Sequence, residues 1–379
     1  MAKHSDPGAH RQPRHRSVVV YSDEHTHEAE HERAVHHELG RRLARLLSVS
    51  FEGAYDPQRT YDSPPYFLPT DTVVGLEKAH RLGITTTADL FGGVVPAAFI
   101  ATKAITHPLV HDTAAAPQGW SHEFGRRVRD VVPSGFTAFT VSDAHRAGRV
   151  MLEQGPVRIK SVLATAGLGQ WEAATEGELD RALAELSDDE IADSGVVLEE
   201  QLEDVATLSV GQIRVGELLA SYYGIQRLTS DNAGNTVYGG SDLLVARGDY
   251  DALLALDLAD DARIAVRKAR TYDIAANDCF AGFFASRRNY DVVFGRNSRG
   301  LRCSGVLEQS WRVGGASSAE VGALLAFADD ERLKAVEASS LELYGHAQPP
   351  PAAEVLYRSE DPEVGWISKC VTVKAYDGN

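Results

Sequence analysis

The sequence is poor in cysteine and lacks long apolar segments, and both shortages narrow the class of protein. Its three cysteines, Cys279, Cys303 and Cys370, are far apart and odd in number. This argues against a disulfide framework and fits a reducing compartment. No apolar run approaches the roughly 20 residues that a membrane helix needs. The basic, polar start, residues 1–16, lacks the apolar segment of a secretory signal. We expect these residues to form a disordered tail, and the protein to be cytoplasmic and away from membranes.

Basic residues are also scarce relative to acidic ones. The chain has 38 Lys and Arg against 54 Asp and Glu, a formal net charge of −16. Because an acidic chain repels phosphate backbones, we expect no nucleic-acid partner. The 43% apolar and 24% charged content is ordinary for a globular protein, and 379 residues suffice for two or three lobes.

The first part of the chain has the pattern of a small α/β lobe, which we place at residues 17–109. The apolar run SVVVYS, 17–22, predicts a buried strand. Helical spacing of apolar residues predicts a helix over 26–47. A second helix is predicted over 72–84, and strand, turn and helix are predicted over 91–105.

A second lobe with its hinge is predicted over 110–202, a third over 203–345, and a linker with a hairpin over 346–379. In the second lobe we predict strands at 156–162 and 194–202, a glycine-bearing loop at 164–170 and a helix at 175–186. The third is rich in strand patterns. It also has two predicted helices, over 262–277 and 318–338.

The segment HEAEH, residues 27–31, spells the H-E-x-x-H signature of zinc peptidases through His27, Glu28 and His31. Two features count against that chemistry. Charged Glu30 stands where a buried helix prefers an apolar residue, and Ala34 stands where the long form needs a helix-breaking glycine. We therefore interpret the segment as the first helix and its spelling as accidental.

Two histidines near this segment have a separate interpretation. His25 and His27 follow the carboxyl end of the first predicted strand, where open α/β sheets bind ligands. They are candidates for substrate contact. The alternative is a solvated helix start.

A candidate phosphate site lies further along the chain. Lys160 ends a predicted strand and is followed by a loop that contains Gly167 and Gly169. Such a loop lets backbone N–H groups approach phosphate oxygens while the lysine neutralises their charge. Glycine loops beside strands are common, so the pattern alone is weak.

A candidate metal site follows from two acids on predicted strands. Asp291 lies in NYDVVFG, and Glu308 lies in GVLEQSW. Carboxylates on neighbouring strands can hold Mg²⁺ together with nucleotide phosphates. Arg312, four residues after Glu308 and followed by two glycines, is suited to an anionic intermediate. Each acid alone could equally be an ion-paired strand residue.

The order of these motifs resembles the ATP-grasp superfamily over residues 100–325, and the whole chain resembles an uncharacterised bacterial family of unknown function. The resemblance implies an α/β and α+β fold with an N-terminal α/β lobe, a lid lobe and a larger C-terminal α+β lobe. It implies ATP and Mg²⁺, with Mn²⁺ as an alternative metal. The superfamily often dimerises, so a homodimer is open.

The resemblance also implies roles for particular residues. Lys103 and Lys160 would contact phosphates, and Gly167 and Gly169 would lie in the loop above them. Arg312 would face the transferred phosphate, and Lys160 and Arg312 would be the catalytic pair. The adenine hinge would comprise Glu199, Glu200 and Leu202, and the metal ligands would be Asp291, Glu308 and Ser310.

The sequence departs from the superfamily pattern at Ser310, where an asparagine ligand is usual. The acid that usually holds the ribose falls near Thr207, or is supplied by Glu203 or Asp204. Three arginines, Arg227, Arg287 and Arg288, are candidates for binding an anionic group on the substrate.

The implied reaction is ligation. ATP converts a small carboxylic acid to an acyl phosphate, which an amine or similar nucleophile attacks, so no side-chain nucleophile is needed. A non-catalytic nucleotide-binding or regulatory protein on the same fold is the main alternative, because of Ser310, and a zinc peptidase is the remaining one.

Overall fold

The computed structural model describes residues 15–23, 28–164 and 169–378. Within these residues the chain forms four β-sheets with helices packed on their faces. The mixed α/β and α+β class predicted from the sequence is confirmed. Its layout is also the expected one: a small N-terminal unit, a unit built on four strands, and a large unit built on a broad antiparallel sheet. In the part of the chain that the structure describes, no helix is long and apolar enough to cross a membrane.

The N-terminal unit is a parallel sheet packed against one long helix. Val18, Val19 and Val20 are fully or almost fully buried, as expected for a β-branched run in the middle of a parallel sheet. The strands, in the order β2-β1-β3, are β1 (Ser17–Tyr21), β2 (Ser50–Ala54) and β3 (Tyr66–Pro69). Helix α1 (Glu30–Leu47) packs its Leu39 and Leu43 against this sheet.

The segment between residues 72 and 106 differs from the prediction. It contains β4 (Val73–Val74), α2 (Leu76–Leu82) and β5 (Gly93–Val95), followed by two short 3-10 turns (Ala98–Ala101 and Lys103–Thr106). The predicted helix over 72–84 is therefore shorter. The helix predicted within 91–105 is replaced by the two 3-10 turns. Pro96, just before them, lacks the N–H that a regular helix would use, which favours turns. β5 pairs with β4 on one side and with β13 (Phe284–Ala285) of the third unit on the other.

The second unit is a four-stranded antiparallel sheet covered by helices. Its strands, in the order β6-β9-β7-β8, are β6 (Gly135–Ala138), β7 (Val157–Ser161), β8 (Gln170–Ala173) and β9 (Val196–Glu200). Its helices are α4 (Val141–Leu152), α5 (Glu176–Ala184) and α6 (Asp188–Ser194). Thr175 caps α5 as predicted, with Glu178 completing a reciprocal capping box.

The third unit is an eight-stranded antiparallel sheet, in the order β15-β14-β10-β11-β12-β16-β18-β17. Its strands are β10 (Glu203–Val215), β11 (Leu218–Ser230), β12 (Thr236–Arg247), β14 (Arg287–Arg296), β15 (Arg302–Ser310), β16 (Ala335–Tyr344), β17 (Glu354–Asp361) and β18 (Gly365–Ala375). Its remaining helices are α3 (His122–Val128), α7 (Tyr250–Leu254), α8 (Asp260–Cys279) and α9 (Ser317–Asp329).

Two details of this unit correct the sequence interpretation. The helix predicted over 318–338 ends at Asp329, and residues from Ala335 onward form β16 between β12 and β18. The predicted C-terminal hairpin is present as β17 and β18, and it pairs with β16. It therefore extends the main sheet and is not an appendage to it.

The two faces of the large sheet have different surroundings. Helix α8 packs on the face that carries Tyr290 and Val292. Helix α9 and helix α1 cover part of the opposite face, around Tyr222 and Val245. Beyond α9, this opposite face carries polar side chains, and we call it the site face.

Candidate functional site

The central feature of the site face is a pair of carboxylates. Asp291 on β14 and Glu308 on β15 are directly opposite one another in the antiparallel register, so their side chains lie on the same face. Burial and the neighbouring charge of Glu308 raise the pKa of Asp291 to about 6. A divalent cation bound between the two acids would offset the unfavourable charge at Asp291.

Three uncharged groups surround this pair. The Ser209 hydroxyl donates to Asp291 Oδ1 at 2.8 Å, and Asn289 Nδ2 donates to the same oxygen at 3.2 Å. Ser310 is opposite Asn289 across the two strands, and its hydroxyl accepts a hydrogen bond from Arg287 Nη1 at 3.3 Å. Sequence reasoning missed Ser209 and Asn289, although the two-residue spacing of Asn289 and Asp291 on one strand could have indicated it. Two carboxylates and nearby hydroxyl oxygens fit the oxygen preference of Mg²⁺.

Lys103 connects this pair to the second unit. Its Nζ is 3.2 Å from Glu308 Oε2, and it donates to the carbonyl oxygen of Ala164 at 3.2 Å. Ala164 is the last described residue before the glycine-bearing loop. The lysine predicted to bind phosphate therefore lies between a predicted metal ligand and that loop.

Lys160 takes part in a buried polar cluster of the second unit. Its ammonium forms an ion pair with Glu199 of β9, and the His107 ring nitrogen Nε2 is 3.3 Å from the same carboxylate. All three residues are buried. Burial alone would raise the pKa of Glu199, but Lys160 and His107 together lower it to about 2. Glu199 is therefore ionised at neutral pH, and its partner Lys160 lies on β7 beside the loop.

The other predicted hinge and loop residues have separate environments. Glu200 Oε1 accepts a hydrogen bond from Asn297 Nδ2 at 3.1 Å, and Leu202 is buried. Gly169 has φ of 59°, and an added Cβ would lie 2.6 Å from the Ala164 Cβ, so this position requires glycine. Gly167, His25 and His27 lie outside the described residues.

A cavity of about 530 Å³ lies between the N-terminal unit and the site face. Arg312 borders it, and the Arg312 side chain is about half exposed. Gly314 and Gly315, which precede helix α9, also line it. The remaining lining residues come mainly from α1, β12, β16 and β18, and the acidic, basic and histidine side chains among them are Glu28, His31, Glu32, His36, Asp71, Glu342 and Lys369.

The three arginines predicted to bind substrate do not line this cavity. Arg287 is buried and donates to both carboxylate oxygens of Glu320 on α9, and it donates to the Arg312 carbonyl oxygen at 2.7 Å. Strand alternation places Arg227 and Arg288 on the opposite face from Asp291. Arg227 pairs there with Asp242. Arg288 lies 3.4 Å from Asp273 of α8. In this structure all three arginines are therefore engaged with carboxylates of the chain, and their contact with substrate stays a prediction.

The structure describes only part of the H-E-x-x-H segment. Glu28 contacts the ring of His36, and His31 lies on the buried side of α1. His27 lies outside the described residues. Among the residues that the structure describes, no group of three or more His, Cys, Asp and Glu is arranged to hold a metal ion.

The fold and the site define a multi-sheet α/β protein in which paired strand carboxylates face a lysine from the preceding unit. The chain belongs to the family described as Protein of unknown function (DUF3182), whose model matches residues 19–371. No curated protein matches the chain in sequence.

The chain is also similar to several solved structures. Phosphoribosylamine–glycine ligase from Thermotoga maritima has a TM-score of 0.48 at 12% identity, covering 96% of this chain and 93% of that one. D-alanyl-alanine synthetase A from Vibrio cholerae has a TM-score of 0.42 at 12% identity, covering 78% and 88%. A RimK domain protein described as ATP-grasp, from Sphaerobacter thermophilus, has a TM-score of 0.38 at 13% identity, covering 82% and 96%.

Proposed function

We propose that the chain is an ATP- and Mg²⁺-dependent ligase of the ATP-grasp type. In this proposal a small carboxylic acid is activated as an acyl phosphate and an amine or similar nucleophile then displaces phosphate. The observation that carries it is the cross-strand pair of Asp291 and Glu308, with Lys103 in contact with Glu308. Acids and a lysine in this arrangement are suited to binding a metal–triphosphate complex.

The residues of the chain have distinct tasks in this proposal. Asp291 and Glu308 would hold Mg²⁺, with the Ser310 hydroxyl as a further donor, while Asn289 positions Asp291. Bound Mg²⁺ would supply charge neutralisation at the β- and γ-phosphates. Lys103 and Lys160 would neutralise phosphate oxygens, which requires Lys160 to exchange part of its contact with Glu199 for phosphate.

Arg312 would orient the transferred phosphoryl group from the edge of the cavity. Its side chain is about half exposed, and its one charge partner among the described residues is distant, with Arg312 Nε 3.9 Å from Asp71 Oδ1. Arg312 Nη1 donates to the Val313 carbonyl oxygen at 3.1 Å, and the remaining donors of the planar guanidinium match the geometry of phosphate or carboxylate oxygens. The Arg287 hydrogen bond to the Arg312 carbonyl fixes the backbone from which this side chain extends.

Thermal unfolding with and without Mg·ATP tests the proposal. A ligand at 100 times its Kd that binds only the folded state adds about 2.7 kcal/mol of stability, which is several degrees in Tm for most domains. We expect this shift for the wild type and a much smaller one for Glu308→Gln. Glu337→Gln is the matched control. Glu337 is a similarly exposed strand glutamate that pairs with Lys374 away from the site, so this variant should shift like the wild type.

The outcomes separate the proposed function from its alternatives. Absence of any shift in the wild type would overturn the nucleotide site. A shift without ADP formation, across a panel of acids with amines, would instead favour a non-catalytic nucleotide-binding protein. Zinc that co-purifies with the protein and is lost in His31→Ala would favour the peptidase interpretation.

A further inference from the structure

His31 is a buried histidine that lines the cavity, and one of its ring nitrogens, which is itself enclosed, has no hydrogen-bond partner among the described residues. Its side chain lies on α1, only 7% of the residue is exposed, and no described group hydrogen-bonds Nδ1. Its backbone N–H donates to Asp361 Oδ2 at 2.9 Å, which fixes the start of the helix against β17. Buried polar atoms are nearly always hydrogen-bonded in native proteins. The His31 ring therefore has hydrogen-bonding capacity that the described residues do not use, on a residue that lines a cavity.

The charge around the cavity indicates what kind of ligand this is. Four carboxylates line it against two permanent cations, Arg312 and Lys369. Lys369 is paired with Glu342 at 2.9 Å, Glu28 is paired with His36, and Asp71 lies 3.9 Å from Arg312. Glu32 has no ion-pair partner among the described residues and lies next to His31 in sequence. The acidic excess favours a positively charged group over a second anion.

His31 has the electrostatic surroundings of a proton acceptor. Burial, followed by the positive charge of Lys369, lowers its pKa. The carboxylates of Asp361, Glu32 and Glu342 act in the opposite direction but do not reverse the shift. The ring is therefore neutral near pH 7, and one of its nitrogens carries a free lone pair.

We propose that the cavity binds the ammonium group of the nucleophilic substrate and that His31 is the general base that removes its proton. This rests on the proposed ligase function and extends it by naming the class of nucleophile, a primary amine. The N–H bond of R–NH₃⁺ breaks and its proton passes to the His31 ring. The resulting R–NH₂ attacks the carbonyl carbon of the acyl phosphate. The new C–N bond forms as the C–O bond to phosphate breaks, and phosphate departs with the electron pair and takes up the second amine proton.

The position of Arg312 supports this assignment. Arg312 and His31 border the same cavity, the arginine beside the glycines before α9 and the histidine on α1. The proposed phosphoryl site and the proposed base therefore face one space from two sides. An amine held there would lie between the group that deprotonates it and the site where the acyl phosphate forms.

The experiment compares two nucleophiles in the full-length protein. Hydroxylamine is uncharged at neutral pH and traps acyl phosphates as hydroxamates without a base, whereas glycine, β-alanine and ethylenediamine carry ammonium groups. A panel of carboxylic acids is first screened with wild-type protein, Mg·ATP and hydroxylamine. His31→Gln and His31→Asn are then assayed with the best acid. His37→Gln is the control, because His37 lies on the same helix but packs against Phe51 outside the cavity.

We expect amide formation by the two His31 variants to fall by about 100-fold or more, the effect of removing a general base. Hydroxamate formation should change little, and His37→Gln should retain both activities. An equal loss of both activities in the His31 variants would show that His31 has a structural role. That result would overturn this inference but not the proposed ligase function. Unchanged amide formation would also overturn it. If wild-type protein forms no hydroxamate with any acid, the ligase function fails, and this inference fails with it.

A binding measurement without nucleotide provides an independent readout. The Tm of the wild type is measured in glycine and β-alanine and in acetate and propionate, which lack the ammonium group. We expect stabilisation by the amines only, and less of it in Glu32→Gln. Equal stabilisation by acetate or propionate would show that the cavity selects the carboxylate, which contradicts the inference.

Discussion

The ammonium of Lys160 and the carboxylate of Glu199 form an ion pair inside the four-stranded sheet, and the His107 ring shares the same carboxylate. Replacing Glu199 with glutamine leaves the buried Lys160 charge without a partner. Removing one member of a buried pair costs about 3–5 kcal/mol. We therefore expect Glu199→Gln to lower the free energy of unfolding, measured with urea, by that amount.

A surface pair provides the comparison for this prediction. Asp261 pairs with Arg302, and both side chains are well exposed. Exposed pairs contribute about 0–1 kcal/mol, so Asp261→Asn should be nearly neutral. If Glu199→Gln is equally neutral, Lys160 does not depend on Glu199, and the cluster is not a structural anchor of the second unit.

The same carboxylate predicts a pH dependence. The pKa of Glu199 is lowered from 4.5 to about 2 in the folded protein by Lys160 and His107, which outweigh the effect of burial. A lowered carboxyl pKa adds stability above the unfolded value and loses it as the pH falls through the folded value. The difference in unfolding free energy between wild type and Glu199→Gln should therefore be constant above about pH 5 and shrink as the pH falls from 4.5 toward 2. Urea titrations at a series of pH values would measure it, and a difference that grows in acid would contradict it.

Arg287 and Arg227 were similar candidates in the sequence but have different surroundings. Arg287 is buried together with Glu320. Arg227 pairs with Asp242, and the Arg227 side chain is 48% exposed. Arg287→Met leaves the Glu320 charge buried and should cost about 3–5 kcal/mol. Arg227→Met should cost less than about 1 kcal/mol. Urea unfolding of both variants would measure these values. An Arg287→Met protein of normal stability that had lost turnover would instead support direct contact with substrate.

Asn289 is expected to position Asp291 for metal binding. It donates to Asp291 at 3.2 Å and accepts a hydrogen bond from Tyr222 at 3.0 Å, which holds the amide in place. Loss of a group that orients a metal ligand typically reduces metal affinity 10–100-fold. Asn289→Ala should raise by about that factor the Mg²⁺ concentration that gives half of the ATP-dependent Tm shift. Asn235→Ala, in an exposed turn, is the control. Identical Mg²⁺ curves for the two variants would remove Asn289 from the site.

The positions of Asp291 and Glu308 show what the sequence can predict. Apolar residues next to each acid identify its strand, and an antiparallel hairpin then makes neighbours of the two acids. Local pattern also predicted β1, the Thr175 cap and the C-terminal hairpin. These features depend on residues close together in the chain.

Features that depend on distant partners were not predictable in this way. Arg287 forms an ion pair with Glu320. Glu320 lies on α9, which follows the edge strand β15 in the chain, so local pattern does not reveal the pair. Residues 335–344 have a composition compatible with a helix, but pairing with β12 and β18 makes them a strand. Likewise, the role of His31 on the cavity wall depends on β16 and β18, which lie more than 300 residues away in the chain.

Two glycines of the second unit should respond in opposite ways to alanine. An added Cβ at Gly135 would lie 2.6 Å from the Leu198 carbonyl oxygen and 2.8 Å from His107 Nδ1, whereas at Gly177 it would meet nothing within 4 Å. Overpacking against backbone costs about 1–3 kcal/mol. At Gly177, in the first turn of α5, alanine should add about 0.5 kcal/mol through helix propensity and a more restricted unfolded chain.

The Gly135 substitution should also perturb the site, because β6 pairs Gly135 with Glu199 and the clash moves the His107 ring that holds this carboxylate. Gly135→Ala is therefore expected to reduce the Mg·ATP-dependent Tm shift as well as the stability, while Gly177→Ala leaves the shift unchanged. Urea unfolding and thermal unfolding with Mg·ATP measure the two effects separately. A Gly135→Ala protein that is less stable but has a full ATP shift would show that the His107 contact with Glu199 matters for folding and not for the proposed nucleotide site.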